Sequence, residues 1–287
     1  MNKQNIAEIL SKHLEIQPSH MESQAIGGGC INYALKISSN LGEYFLKWNQ
    51  HDHTMFEAEA KGLKILSETH TLSIPSVLGF GAIENKSYLL LEFIPGNSGS
   101  KQYWENFGEK LADLHRHIAK EYGLDHDNFI GRLNQSNTQN ADWIDFFINS
   151  RIQPQLQMAK DQGLIDQGIL KKFEILLSKL EVLIPYEPPS CLHGDLWSGN
   201  IMCGPDHQPF VIDPAVYFGH REIELAFTHL FGGFDNSFYQ AYDHNYPRQP
   251  GYEDRVDIFN LYPLLVHVNL FGASYLSGIR QTLKKFT

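Results

Sequence analysis

CLHGDLWSGNIM, Cys191 to Met202, and VIDPAVYFGHREIELAF, Val211 to Phe227, hold the residues on which the fold is read. Asp195 and Asn200 stand five residues apart, the spacing of Asp and Asn in the catalytic loop H-R-D-x-x-x-x-N, and Asp213 follows an apolar run thirteen residues later. Phosphoryl transfer needs such a set. One carboxylate orients an attacking hydroxyl and accepts its proton, while an amide oxygen and a second carboxylate offer hard donors to magnesium ions on the nucleotide phosphates. A single Asp between Gly and Leu is ordinarily a turn residue, and Asp-Pro ordinarily starts a helix or turn. In this order, each after an apolar run, the three residues form one site written in two pieces.

Upstream, AIGGGCINYALKI places Gly27, Gly28, Gly29, Cys30, Ile31 and Asn32 between two strand-like runs. Glycine lets backbone N–H groups approach phosphate oxygens with no Cβ in the way. The loop leads into a strand and lacks G-x-x-x-x-G-K-[ST], which disfavours a P-loop or a dinucleotide fold. Lys47, in EYFLKW, stands on the strand behind this loop and can reach nucleotide phosphates if a carboxylate of the following helix holds it. Glu57 and Glu59 in MFEAEA are the candidates; the twelve-residue separation of Lys47 and Glu59 allows such a pair, and Glu59 is favoured over Glu57.

The 287 residues suffice for a sizeable core in one or two domains. Lys and Arg number 23 against 33 Asp and Glu, a formal charge of −10 that argues against a nucleic-acid partner without excluding a small phosphorylated ligand. Cys30, Cys191 and Cys203 make no C-x-x-C pair, so neither a disulfide framework nor structural zinc is expected, and a reducing, cytoplasmic setting fits. The N-terminal MNKQNIAEILSKHLEI reads as a short amphipathic helix and not as a signal peptide. LYPLLVHVNLFGASYL, broken by Pro263, His267 and Asn269, reads as a buried helix and not as a membrane span.

Residues 1–94 read as a β-rich domain, with INYALKI, EYFLKW and SYLLLEFI as strands and MFEAEAKGLKILSE as its only long helix. After the Gly/Pro/Ser stretch 95–100, residues 95–287 turn helical in YWENFGEKLADLHRHIAKEYG, DWIDFFINSRIQPQLQMAK and QGILKKFEILLSKLEVL. SCLHGD and PFVIDP are expected to pair as a small hairpin within that helical body. His115 and His117, like His51 and His53, are i,i+2 pairs on different helix faces, poor for a metal and expected to be solvated.

At these motifs the sequence resembles the fructosamine kinase (ketosamine 3-kinase) family, relatives of the aminoglycoside and choline phosphotransferases. The resemblance covers about residues 19–285, and LHGDLWSGN, DPAVYFGHREIELA and FGGF carry it most specifically. It implies an α+β, bilobal protein-kinase-like fold with a small β-rich N-lobe and a larger mainly α-helical C-lobe. It also implies ATP and Mg2+ as cofactors and transfer of the γ-phosphoryl group to the 3-hydroxyl of a small-molecule or protein-bound ketoamine, which begins deglycation. By the same resemblance Asp195 is the catalytic base, and Asn200 and Asp213 are the metal ligands. Lys47, held by Glu59, binds phosphate, Gly27 to Asn32 cover the nucleotide, and the backbone of Glu92, Phe93 and Ile94 meets adenine. His193 scaffolds the catalytic loop, Glu224 braces it, and Trp197, Tyr217 and Glu222, with His220, shape the acceptor pocket. Rival readings are another amino-alcohol or aminoglycoside kinase of this fold, or an idle nucleotide-binding regulator. The LWSGN and FGHRE segments argue against the first, and the joint presence of Lys47, Asp195, Asn200 and Asp213 against the second. Cys30, inside the glycine loop, is a candidate for oxidation and for a redox-linked homodimer.

Overall fold

Apolar residues alternating along the strand-like runs close into a five-stranded antiparallel sheet. The computed structural model describes residues 1–14, 18, 20–27, 32–50 and 54–287. The strands are β1 (Met21–Ile26), β2 (Tyr33–Ser39), β3 (Gly42–Asn49), β4 (Val77–Ile83) and β5 (Lys86–Glu92), in the order β1-β2-β3-β5-β4. Because successive side chains of a strand point to opposite faces, β3 and β5 sort their residues by parity. Tyr44, Leu46, Tyr88 and Leu90 join Ile6, Ile9 and Leu10 of helix α1 (Lys3–Leu14), the amphipathic helix expected at the N-terminus. Phe45, Leu89 and Leu91 pack on Phe56, Ala60 and Leu63 of helix α2 (Thr54–Glu68). Lys47 shares the parity of Phe45 and is thereby directed to the α2 side.

Two compact units are distinguished, Met1–Tyr103 with Gly199–Pro214, and Trp104–Ser198 with Ala215–Thr287. This departs from a single division at 94/95: the first unit runs on to Tyr103, and Gly199–Pro214 returns to it. The return is fastened by backbone pairing. Ile201–Cys203 pairs antiparallel with Pro209–Val211. Ser73 N–H donates to Pro209 O at 3.1 Å, Val211 N–H to Ser73 O at 3.1 Å, and Asn97 N–H to Cys203 O at 2.7 Å. The expected pairing of SCLHGD with PFVIDP is also corrected, since Ser190–Leu192 pairs with Tyr217–Gly219 instead.

The second unit is mainly helical. Its core runs from Tyr122 to Leu283 and includes Phe146, Phe147, Phe173, Phe259 and Leu265. Leu261–Phe271 is the buried helix expected there, ended by Gly272 at φ +95°. YWENFGEKLADLHRHIAKEYG is helical only as Lys101–His115. Beyond it the chain runs extended, with Ile118 bridging Ser190, Ala119 N–H donating to Pro189 O, and Cys191 N–H donating to His117 O. In DWIDFFINSRIQPQLQMAK the helix widens to π geometry over Phe147–Ile152, a local insertion that turns Phe147, Arg151 and Ile152 inward together. Among the described residues no helix is long and apolar enough to cross a membrane.

Gly108 marks a close helix contact of this unit. A Cβ there would stand 2.2 Å from Phe238 O and 2.9 Å from Tyr242 N, both backbone atoms that cannot rotate away. Gly108→Ala should therefore lower stability by about 1–3 kcal/mol or more despite alanine's better helix propensity. A urea midpoint at or above wild type would show that the two helices separate freely.

Candidate active site

In the first unit the strand and helix periods converge on one ion cluster. Lys47 Nζ lies 2.8 Å from both Glu59 carboxylate oxygens and 2.6 Å from Asp213 Oδ1. Glu59 follows Phe56 by one helical turn and so shares the sheet-facing side of α2, whereas Glu57 is directed away and pairs with Lys61 at 2.8 Å. Burial alone would lower the Lys47 pKa, but Asp213 and Glu59 outweigh it and hold the ammonium well above the ordinary lysine range. Burial, with Asp213 adding to it, raises Glu59 against the pull of Lys47.

Asn200 and Asp213 stand at the open end of the Ile201–Cys203/Pro209–Val211 hairpin. Val211 faces Ile201, and the next rung is closed by Ile212 N–H donating to Asn200 O at 3.0 Å. Asn200 is buried, while the Asp213 side chain is 43% exposed. Asp213 holds φ +56° although it is neither Gly nor Asn and precedes proline. Such a backbone costs about 1–3 kcal/mol and persists where surrounding contacts over-determine it. An amide oxygen and a carboxylate are hard donors of the kind magnesium takes, with its remaining positions left to water and phosphate. The residues therefore fit the ion.

Of the glycine loop, Gly28, Gly29, Cys30 and Ile31 lie outside the described residues, as do His51 and His53. Gly27 is exposed at the end of β1, and Asn32 Oδ1 accepts from Asn49 Nδ2 at 2.8 Å. Glu92 closes β5 and accepts from Ser76 Oγ at 2.9 Å, the Phe93 ring carries Lys36 Nζ at 4.2 Å, and Ile94 is buried.

In the second unit the loop His193–Gly194–Asp195 is held from beneath. Gly194 takes φ +84°, and a Cβ there would stand 2.0 Å from Ala215 O. Only glycine fits this turn, which accounts for His-Gly-Asp in place of His-Arg-Asp. Ala215 N–H donates to His193 O at 2.9 Å. Glu224 Oε1 accepts from Gly194 N–H at 2.7 Å, and its Oε2 accepts from His193 N–H at 3.2 Å and meets His115 Nε2 at 3.0 Å. Burial alone would raise Glu224, but His115, His193 and the Gly194 N–H hold it below the usual carboxylate range. His193 is fully buried, and its Nδ1 accepts from Asp195 N–H at 3.3 Å, a scaffolding geometry.

The expectation of a solvated His115 is overturned. It is fully buried, and its Nδ1 meets Tyr242 Oη at 2.7 Å. Tyr242 Oη in turn accepts from Arg221 Nη1 at 3.1 Å, and Arg221 pairs with Glu187 through Nε at 2.6 Å and Nη2 at 2.8 Å. His117 is exposed as expected.

Asp195 lines a pocket that is partly open to solvent, together with Leu196, Tyr217, Phe227, Tyr262 and His267. Tyr217 thus reaches the pocket. Beneath it lies Arg151, fully buried, its guanidinium 4.0 Å from the Tyr217 ring centroid and donating to Ser136 O and Asn137 Oδ1. Sequence reasoning missed Arg151, whose only signal was a charge within an apolar helical run. Trp197 is half-buried and meets Phe231 edge-on at 6.1 Å. Glu222 does not line the cavity. Its carboxylate is fully buried and bound bidentately by Arg255 at 2.7 and 2.8 Å. His220 is likewise diverted, capping the helix Arg221–Leu230 by accepting from Glu222 N–H.

A buried Lys–Glu pair joined to an aspartate after a hairpin, and a His-Gly-Asp loop braced by an acidic residue, define a phosphotransferase of the protein-kinase-like fold. An aminoglycoside phosphotransferase crystal structure shares that fold, with a TM-score of 0.66 at 16% identity over 100% of both chains. The chain belongs to the fructosamine kinase family, whose family model matches residues 2–287. It is 40% identical over 261 residues to a chloroplastic protein-ribulosamine 3-kinase of Arabidopsis thaliana, covering 88% of this chain and 79% of that one. It is 36% identical over 286 residues to a probable ketoamine kinase of Synechocystis, covering 98% and 94% respectively. A putative fructosamine-3-kinase from Haemophilus somnus, solved by crystallography, superposes with a TM-score of 0.87 at 33% identity, covering 98% of this chain and 96% of that one.

Since the folded pKa of Glu224 lies below its unfolded value of about 4.3, the stability it contributes is full above that range and is lost as pH falls through the folded pKa. Glu224→Gln should cost about 3 kcal/mol at pH 7 and leave a smaller loss on acidification. Urea unfolding of both proteins at pH 7 and pH 4 checks this, and equal acid losses would contradict it.

Proposed function

We propose that this protein is an ATP-dependent ketoamine kinase that phosphorylates the 3-hydroxyl of a sugar joined to an amine, initiating removal of that sugar from free or protein-bound amines. The observation that carries the reading is the Lys47–Glu59–Asp213 cluster, with a 2.6 Å contact between residues 166 apart in sequence. Backbone strain such as that of Asp213 clusters at functional sites, and here it falls on the aspartate that meets a buried strand lysine. A nucleotide-phosphate site uses all three.

Lys47 would bind the phosphates, with Glu59 keeping its ammonium in place. The segment Gly27 to Asn32 would cover the nucleotide, and the backbone of Glu92, Phe93 and Ile94 would meet adenine. Asn200 and Asp213 would hold magnesium, which when bound supplies neutralisation of the phosphate charge. Asp195 accepts the proton of the 3-hydroxyl while that oxygen bonds to the γ-phosphorus and the bond from phosphorus to the ADP oxygen breaks. The acceleration comes from alignment and charge neutralisation, not from basicity alone. Glu224 and Gly194 act through Asp195 by fixing the loop. The YFGHRE segment supports a ketoamine over other acceptors of this fold, because Tyr217 lines the cavity at Asp195 while Arg221 and Glu222 anchor the segment by buried ion pairs. A cytoplasmic setting is part of this reading, supported by Cys191 and Cys203 being free and buried.

ATP consumption should be seen with fructosamine, ribulosamine or erythrulosamine and not with choline or an aminoglycoside. Turnover confined to the latter pair would sink the reading. Asp195→Asn should lose at least about a hundredfold in kcat while still binding ATP in the presence of magnesium. Near-normal turnover would remove Asp195 from its role.

A further inference from the structure

The cavity at Asp195 continues into a run of aromatic rings that phosphoryl transfer does not use. His267 lines the cavity, and three rings pack on it, Phe231 and Tyr275 each at 4.9 Å and Phe271 at 5.5 Å. Phe227, also in the lining, meets Phe231 at 5.9 Å, and Trp197, two residues beyond Asp195, meets it at 6.1 Å. Helix ends build this run. Phe231 caps the helix Arg221–Leu230, Phe271 ends Leu261–Phe271, and Gly272 at φ +95° turns the chain so that the short 3-10 segment Ala273–Tyr275 brings Tyr275 back onto His267. His267 Nδ1 lies 2.7 Å from Pro263 O, so that nitrogen carries the hydrogen and donates. Phe231 and Phe271, each in ring contact with His267 of the lining, remain 41% and 46% exposed, so that apolar faces stand open to solvent on either side of a pocket residue.

In a ketoamine the amine sits on C1, two carbons from the acceptor C3. With the 3-hydroxyl at Asp195, the amine and whatever it carries must leave the cavity close by. The ring-lined wall is continuous with the cavity and offers apolar faces to a carbon chain and π-faces to a protonated secondary amine. Resting on the ketoamine kinase reading, we propose that Phe231, His267, Phe271 and Tyr275 form an aglycone subsite that takes the apolar N-substituent of the substrate, an alkyl or arylalkyl group. The subsite discriminates among ketoamines by the amine they carry, independently of the sugar.

The test is kcat/KM for deoxyfructosyl amines bearing methyl, butyl and benzyl substituents. In the wild-type protein kcat/KM should rise about tenfold or more from methyl to benzyl, mainly through KM. Phe271→Ala and Tyr275→Ala should bring the benzyl-to-methyl ratio close to one, and Phe271→Trp should preserve it. Turnover that is flat across the series, or a ratio unchanged in Phe271→Ala, overturns the subsite alone. Absence of turnover on every member overturns the ketoamine assignment and the subsite with it.

Discussion

A single buried carboxylate governs the turn that carries Asp195. Glu224 accepts backbone N–H bonds from His193 and Gly194 and fixes the turn from which Asp195 projects. A carboxylate taken out of water costs free energy unless its lone pairs are filled, and here His115 fills the remaining valence. The cost is offset along a chain of buried groups, from Glu224 through His115 and Tyr242 to Arg221 and Glu187. The loop carrying Asp195 is therefore held by a buried polar network inside a mainly helical unit, and its glycine is dictated by the Ala215 carbonyl against which it turns.

In the first unit the organising constraint is periodicity. A strand repeats every two residues and a helix every 3.6, so the side of Lys47 and the side of Glu59 are set once Phe45, Leu89 and Leu91 of the sheet pack on Phe56, Ala60 and Leu63 of α2. The hydrophobic contacts place the charges; the charges do not place the sheet. A short hairpin then delivers Asp213 to Lys47 and sets Asn200 one rung away, which brings residues thirteen apart to the same end of the hairpin.

Much of this was legible because it is local. The spacing of Asp195 and Asn200, the run before Asp213, the parity of Lys47 and the helical register of Glu59 are properties of short windows, and the family resemblance rests on the same windows. Departures arose where a side chain's fate depends on a distant partner. His115 reads as solvated beside His117, yet a carboxylate 109 residues away buries it. Glu222 reads as a pocket acid, yet Arg255, 33 residues on, takes both its oxygens. SCLHGD and PFVIDP each read as half of a hairpin, but strand pairing is a long-range choice, and each found another partner.

By itself the amino-acid sequence determined the class of chemistry and the order of its parts, because hard oxygen donors, a base and a phosphate-binding lysine must be drawn from a few residue types at near-fixed spacings. The tertiary structure alone decided which polar groups line the pocket at Asp195 and which brace the loop beneath it. It also decided that a π-helical insertion sets Arg151 under Tyr217 and that two helix ends extend the Asp195 cavity into an aromatic wall. The physical reason is that burial and hydrogen-bond satisfaction are properties of the packed chain: the same histidine or glutamate is a surface group or a buried strut according to what folding brings against it.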